Sequence, residues 1–203
     1  MAGSKGKFDT RKLVLAGILT AITVLLQFTS FKFGTFQIAL SVIPITVGAA
    51  LIGVAAGGWL GLVSATVILL NGDSALFLAI NPAATIVTVI VKGVLSGLAA
   101  GAVYRLLRKA NKLVGAIAAS VVAPVVNTGI FTLSCFTLFK SSLNAWSASG
   151  LDVGEGTFLW QGLSPVAIVF VMLIGANFFV ELAVNLVFSS AIVRVVEQGS
   201  QRK

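Results

Sequence analysis

Asn81-Pro82-Ala83-Ala84-Thr85-Ile86-Val87-Thr88-Val89-Ile90-Val91-Lys92 sets a lysine inside an apolar run that continues to Tyr104. Asn81, Thr85, Thr88 and Lys92 follow one another at intervals of four, three and four residues, so a helix through them carries one polar stripe on a single face. Hydrocarbon is closed to that face, because an uncompensated charge near a bilayer centre costs about 2.5 to 3.5 kcal/mol on insertion scales. Lys92 therefore lines a polar cavity, pins two helices together, or snorkels to the surface.

The rest of the chain places this stretch in a membrane. With 203 residues, 58% of them hydrophobic and only 10% charged, and a mean hydropathy of +1.07, too few polar side chains exist to clothe a soluble globule. The apolar blocks are helix-length and lack the alternating ten-residue pattern of an outer-membrane barrel. The expected fold is all-α: one membrane domain over residues 1–203, with six transmembrane helices in a single bundle.

Taken in order, a basic leader over residues 1–12 precedes a first helix from about Leu13 to Phe28. A loop through Phe31-Lys32-Phe33-Gly34-Thr35 leads to a second helix from about Phe36 to Ile52, with Pro44 expected to bend it. The third helix ends near Leu70, and Gly53, Gly57, Gly61 and Ala65 give it a small-residue stripe suited to close backbone approach. Asn71-Gly72-Asp73-Ser74 is turn chemistry, and Ala75 to Ile80 forms a short apolar cap. The fourth helix runs from Asn81-Pro82 to about Leu107, with a second stripe at Gly93, Gly97 and Gly101. The fifth spans about Leu113 to Phe139, with Pro124 as an expected kink. A long outer loop covers residues 140–163, and a sixth helix runs from about Ser164 to Val196, with Asn177, Glu181 and Asn185 four residues apart.

Charge gives the orientation. Eleven of the 14 Lys and Arg residues fall on the terminal side of a six-span layout, only Lys32 and Lys140 on the other, and Lys92 inside. Both termini are expected in the cytoplasm of a multi-pass plasma-membrane protein. The net charge of +8 then reports topology, with no nucleic-acid partner implied. At 1.5 Å per residue, Lys92, Asn127 and Glu181 all lie about 20 Å from the cytoplasmic boundary, so three helices present polar groups at one level. That is the layout of a solute pocket opening outward.

Several chemistries are excluded. No histidine and a single cysteine, Cys135, cannot build a zinc or haem centre, so neither a metal nor another cofactor is expected. No Gly-Lys-Ser/Thr phosphate loop is present, and Glu181 lacks the partner an intramembrane hydrolase needs, so the chain reads as non-catalytic. Phe33 in the first outer loop, with Trp146 and Trp160 in the third, either covers a bound solute or anchors the membrane interface.

With its length, six helices, cytoplasmic termini and a first helix opening Leu13-Val14-Leu15-Ala16-Gly17-Ile18-Leu19-Thr20-Ala21-Ile22, the whole chain resembles the substrate-binding S component of an energy-coupling-factor (ECF) vitamin transporter. In that family a small-xxx-small motif on the first helix, commonly Ala-xxx-Ala, docks on a transmembrane coupling subunit, and Gly17 and Ala21 occupy those positions here. The resemblance implies a solute held near the outer surface and delivered through the coupling subunit and two cytoplasmic ATPases. Phe33-Gly34-Thr35-Phe36, Gly72-Asp73, and Ala79-Ile80-Asn81-Pro82 leading to Lys92-Gly93 are most similar to pantothenate-type members. Cobalamin, hydroxymethylpyrimidine, riboflavin or folate would use similar groups. The candidate substrate-binding residues are Asn81, Thr85, Thr88, Lys92, Asn127, Asn177, Glu181, Phe33 and Trp146. Lys92 either pairs with Glu181 or grips the solute. A self-sufficient secondary transporter or channel, with Lys92 and Glu181 as a proton relay, is the alternative of a different class.

Overall fold

A computed structural model describes residues 10–29, 31–33, 36–38, 40–152 and 158–201. Residues 1–9 of the basic leader lie outside these, while Arg11 and Lys12 already belong to helix α1 (Thr10–Phe28). A bundle is formed by α1, α2 (Val42–Leu51), α3 (Val54–Leu70), α5 (Pro82–Leu107), α6 (Lys112–Thr137) and α9 (Gly175–Gln201), with the short α4 (Ala75–Ile80) between α3 and α5. Among the described residues, four helices are long and apolar enough to cross a membrane: α1, α5, α6 and the Asn177–Val195 part of α9. Apolar α2 and α3 are shorter.

The second helix is shorter than expected because the residues before it pair as strands. β1 (Phe31–Phe33) and β2 (Phe36–Ile38) run antiparallel, Phe31 opposite Ile38 and Phe33 opposite Phe36. Two short runs of aromatic and β-branched residues around Gly34-Thr35 are a hairpin signal, here stronger than helix propensity. Pro44 consequently falls in the first turn of α2, where its missing N–H costs nothing, and it does not act as a mid-helix bend. Gly53, at φ 142°, separates α2 from α3.

The two glycine stripes meet each other. A Cβ built on Gly57 or Gly61 would collide with the Gly97 and Gly93 carbonyls, and the reverse substitutions would collide with Gly57 and Gly61. Backbone contact of this kind lets α3 lie directly on α5 and bury Gly93, Ser96, Gly97 and Ala100.

The described residues of the 140–163 stretch are not an irregular loop. They contain α7 (Lys140–Ser149) and a ribbon of β3 (Leu151–Asp152) with β4 (Phe158–Leu159). Leu143 and Trp146 of α7 are buried with Cys135, Trp160, Ile168 and Val169. The expected continuous sixth helix is also divided. Ser164 caps α8 (Pro165–Ala167), a π-helical stretch follows over Ile168–Ile174, and Gly175, at φ 43° and ψ −143°, breaks the axis before α9. Glycine tolerates that backbone angle; a branched apolar residue would not.

Pro124 stands inside α6 and leaves the carbonyl of Ser120 without its helical donor. Asn185 of α9 supplies one: its Nδ2 donates to Ser120 O at 2.7 Å and to Thr46 Oγ1 at 3.2 Å, while Ser189 Oγ donates to Asn185 Oδ1 at 2.6 Å. One buried asparagine thus ties α2, α6 and α9 together, the kind of polar bond that hydrocarbon rewards.

Gly61→Val and Gly97→Val should each destabilise the protein by about 1–3 kcal/mol or more through overpacking. Gly129→Ala, whose added Cβ meets nothing within 4 Å, should stay within about 0.5 kcal/mol of wild type. Thermal unfolding in detergent, followed by gel filtration, measures both.

Candidate functional site

Between α3, α5, α6 and α9 lies a cavity of about 340 Å³, near the lower end of the roughly 300–1,000 Å³ usual for small-molecule sites. The α5 wall carries Thr85, Thr88 and Lys92, so the polar stripe faces inward. Asn127 and Phe131 come from α6, and Asn177 and Glu181 from α9. Six of the nine expected binding residues therefore share one cavity. Asn81 does not: it caps α5, its Oδ1 accepting from Ala84 N at 3.1 Å. Phe33 belongs to β1, and its side chain lies outside the described set.

Helix geometry decides what each hydroxyl offers. Thr85 Oγ1 donates back to the Asn81 carbonyl at 2.8 Å, which occupies its proton within the helix. Thr88 Oγ1 is buried and has no hydrogen-bond partner among the described residues. The same holds for Asn177 Oδ1, whose amide is oriented by its other end: Asn177 Nδ2 donates to Glu181 Oε1 at 3.3 Å, one helical turn on. Both groups are buried on residues that border the cavity, and a buried polar group without a partner costs about 1–3 kcal/mol.

Lys92 Nζ lies 5.4 Å from the centroid of Phe131, within reach of a cation–π contact. Two carboxylates, Asp73 and Glu181, border the same cavity. Its far wall is a network that the sequence did not reveal. Gln27, at the end of α1, is 1% exposed; its Nε2 donates to Asp73 Oδ2 at 3.0 Å, and its Oε1 accepts from Ser41 at 2.7 Å and Ser64 at 3.1 Å. Asn71 steadies Asp73, accepting from its backbone N–H at 3.0 Å and donating Nδ2 to its Oδ2 at 2.6 Å. A lone glutamine four residues after Thr23 in an apolar helix was the available signal.

Aromatic rings close one end of the cavity. Phe77 packs edge-on against Phe131 and Phe139, with centroids 5.5 and 4.9 Å away. Trp160 borders the cavity, and Trp146 stands behind it with centroids 5.4 Å apart. Trp160 adopts φ 67°, a left-handed conformation that costs a bulky residue about 1–2 kcal/mol. Its position over the cavity is held by the Trp146 ring and by α7. Among the described residues, no group of three or more His, Cys, Asp or Glu is placed to hold a metal ion.

The described helices form an apolar bundle around a compact, partly polar cavity of a size that suits a small solute. The chain belongs to the family described as ECF transporter, substrate-specific component, which it matches over residues 11–196. Members of that family are substrate-binding subunits of vitamin transporters and are not enzymes. Its fold is similar to the solved structure of ThiT from Listeria monocytogenes, with a TM-score of 0.61 at 19% sequence identity, covering 93% of this chain and 96% of that one. No curated protein matches the sequence.

Thr88→Val and Asn177→Leu should leave the fold intact and weaken solute binding about tenfold each, a loss of about 1.4 kcal/mol. Fluorescence titration can follow this through Trp160, which borders the cavity.

Proposed function

We propose that this chain is the solute-capturing subunit of an ECF-type importer, taking a water-soluble vitamin from outside and handing it to a coupling subunit driven by two cytoplasmic ATPases. The observation that carries the proposal is the cavity itself, to which three helices bring Thr88 and Lys92, Asn127, and Asn177 and Glu181. The side-segregated Lys and Arg residues support six spans with both termini cytoplasmic, which turns the Trp160 end of the cavity outward. Docking on the coupling subunit is assigned to α1. Gly17 and Ala21 are exposed, a Cβ on Gly17 would meet nothing within 4 Å, and exposed Leu13, Val14 and Ile18 surround them.

Pantothenate is our first substrate. It brings a carboxylate for Lys92, hydroxyl and amide groups for Thr88 and Asn177, and a dimethyl group for Phe77 and Phe131. A second reading, a vitamin with a positive charge or several N–H donors, is favoured by Asp73 and Glu181 on the cavity wall.

Purified chain in vesicles should bind radiolabelled pantothenate without ATP and accumulate none; adding the coupling subunit and ATPases should start uptake. Concentrative uptake by the isolated chain would overturn the proposal. Replacing Gly17 and Ala21 together by Leu should abolish uptake by the full complex and leave binding unchanged. A double-mutant cycle assigns Lys92. If Lys92 grips the carboxylate, Lys92→Met with Glu181→Gln stays folded and binds pantothenate at least about tenfold more weakly. If Lys92 serves only to pair with Glu181, the double variant recovers wild-type affinity and stability.

A further inference from the structure

Among the described residues, the cavity lining carries one cation, Lys92, and two carboxylates, Asp73 and Glu181. Glu181 stands on α9, one helical turn from Asn177, but Asp73 lies in the turn between α3 and α4. It borders the cavity from there and is held in place. Gln27 Nε2 and Asn71 Nδ2 both donate to its Oδ2, at 3.0 and 2.6 Å. Gln27 is fixed in this orientation, because the hydroxyls of Ser41 and Ser64 donate to its Oε1 and leave its amide N–H groups for Asp73. Gln27, Ser41 and Ser64 border the cavity too, and all three are buried.

Joining the helices does not require this charge. Asn71 Nδ2 also donates to the Gln27 carbonyl at 3.3 Å, and Ser41 and Ser64 bind Gln27, so neutral groups alone tie α1 to the turn, to the start of α2 and to α3. What a carboxylate adds is acceptance and negative charge. Beside it an O–H, an N–H or a cation is favoured, and a second anion is opposed, more strongly in a site partly shielded from water. Lys92 can match one anionic group of a solute, whereas a phosphate monoester carries about 1.5 to 2 negative charges. We infer that Asp73 is a specificity-determining residue, which accepts a hydrogen bond from a donor group of the solute and turns away the phosphorylated form of the same molecule. Gln27 is its positioning residue and fixes the carboxylate at the cavity wall. The inference rests on the reading of the cavity as the solute site, and it holds for any vitamin with an O–H or N–H donor.

The test measures the affinity of the full chain in nanodiscs for pantothenate, thiamine, riboflavin and hydroxymethylpyrimidine, and for the phosphate monoester of each. Wild type should bind one of the four, at least about a hundredfold more tightly than its ester. Asp73→Asn keeps the shape and an acceptor for Gln27, and it should shrink that preference at least about tenfold. Gln27→Met, which acts through Asp73, should move the ratio the same way by about threefold or more. Loss of packing alone would weaken vitamin and ester together and leave the ratio as it was. If either variant fails to fold, Ser41→Ala with Ser64→Ala, which frees Gln27 without adding volume, decides by the same ratio. A wild type that binds vitamin and ester alike, or an unchanged ratio in folded Asp73→Asn, overturns this inference alone. An unchanged ratio in folded Gln27→Met overturns the positioning role. A folded wild-type chain that binds none of the four overturns the inference together with the functional reading.

Discussion

Backbone contact between α3 and α5, glycine on glycine, is the constraint from which the site follows. Gly57 and Gly61 leave no room for side chains opposite Gly97 and Gly93, so α5 is held in one rotation about its axis. Lys92 immediately precedes Gly93. Fixing the glycine face therefore fixes where the lysine, Thr88 and Thr85 project, and that direction is toward α6 and α9. α5 also touches α2, α4 and α6, which makes it the reference element for the bundle. In lipid no hydrophobic force sorts one apolar helix face from another, so close packing and polar bonds must do it.

The polar bonds divide by role along α9. Asn177, Glu181 and Asn185 share one spacing, yet Asn185 satisfies the carbonyl that Pro124 releases from α6, while Asn177 and Glu181 meet the cavity. Spacing alone could not separate them, because the distinction depends on a proline in another helix. The aromatic end of the cavity rests on a similar division between Trp160, which borders it, and Trp146, which supports Trp160 from α7.

Much of this site was legible in the sequence because a charged or amide side chain in hydrocarbon is conspicuous. Thr85, Thr88, Lys92, Asn127, Asn177 and Glu181 were all identifiable by depth and helical face, and all border the cavity. Asn81 follows the same periodicity but sits at a helix start, where its side chain caps the backbone. Gln27, Ser41, Ser64 and Asp73 come from four separate segments and become one network only through tertiary closure. The helices were legible from their apolar length, apart from the Phe-rich hairpin, the helix within 140–163 and the break at Gly175. Each of these turns on backbone geometry that an apolar run does not advertise.

The central claim is that the cavity between α5, α6 and α9 holds a small polar vitamin. Native mass spectrometry of the chain, purified after incubation with a mixture of water-soluble vitamins, tests it most directly. The account predicts one bound molecule per chain, carrying hydrogen-bonding groups and identifiable by its released mass. A chain that stays folded and emerges with no bound vitamin from that mixture would contradict it.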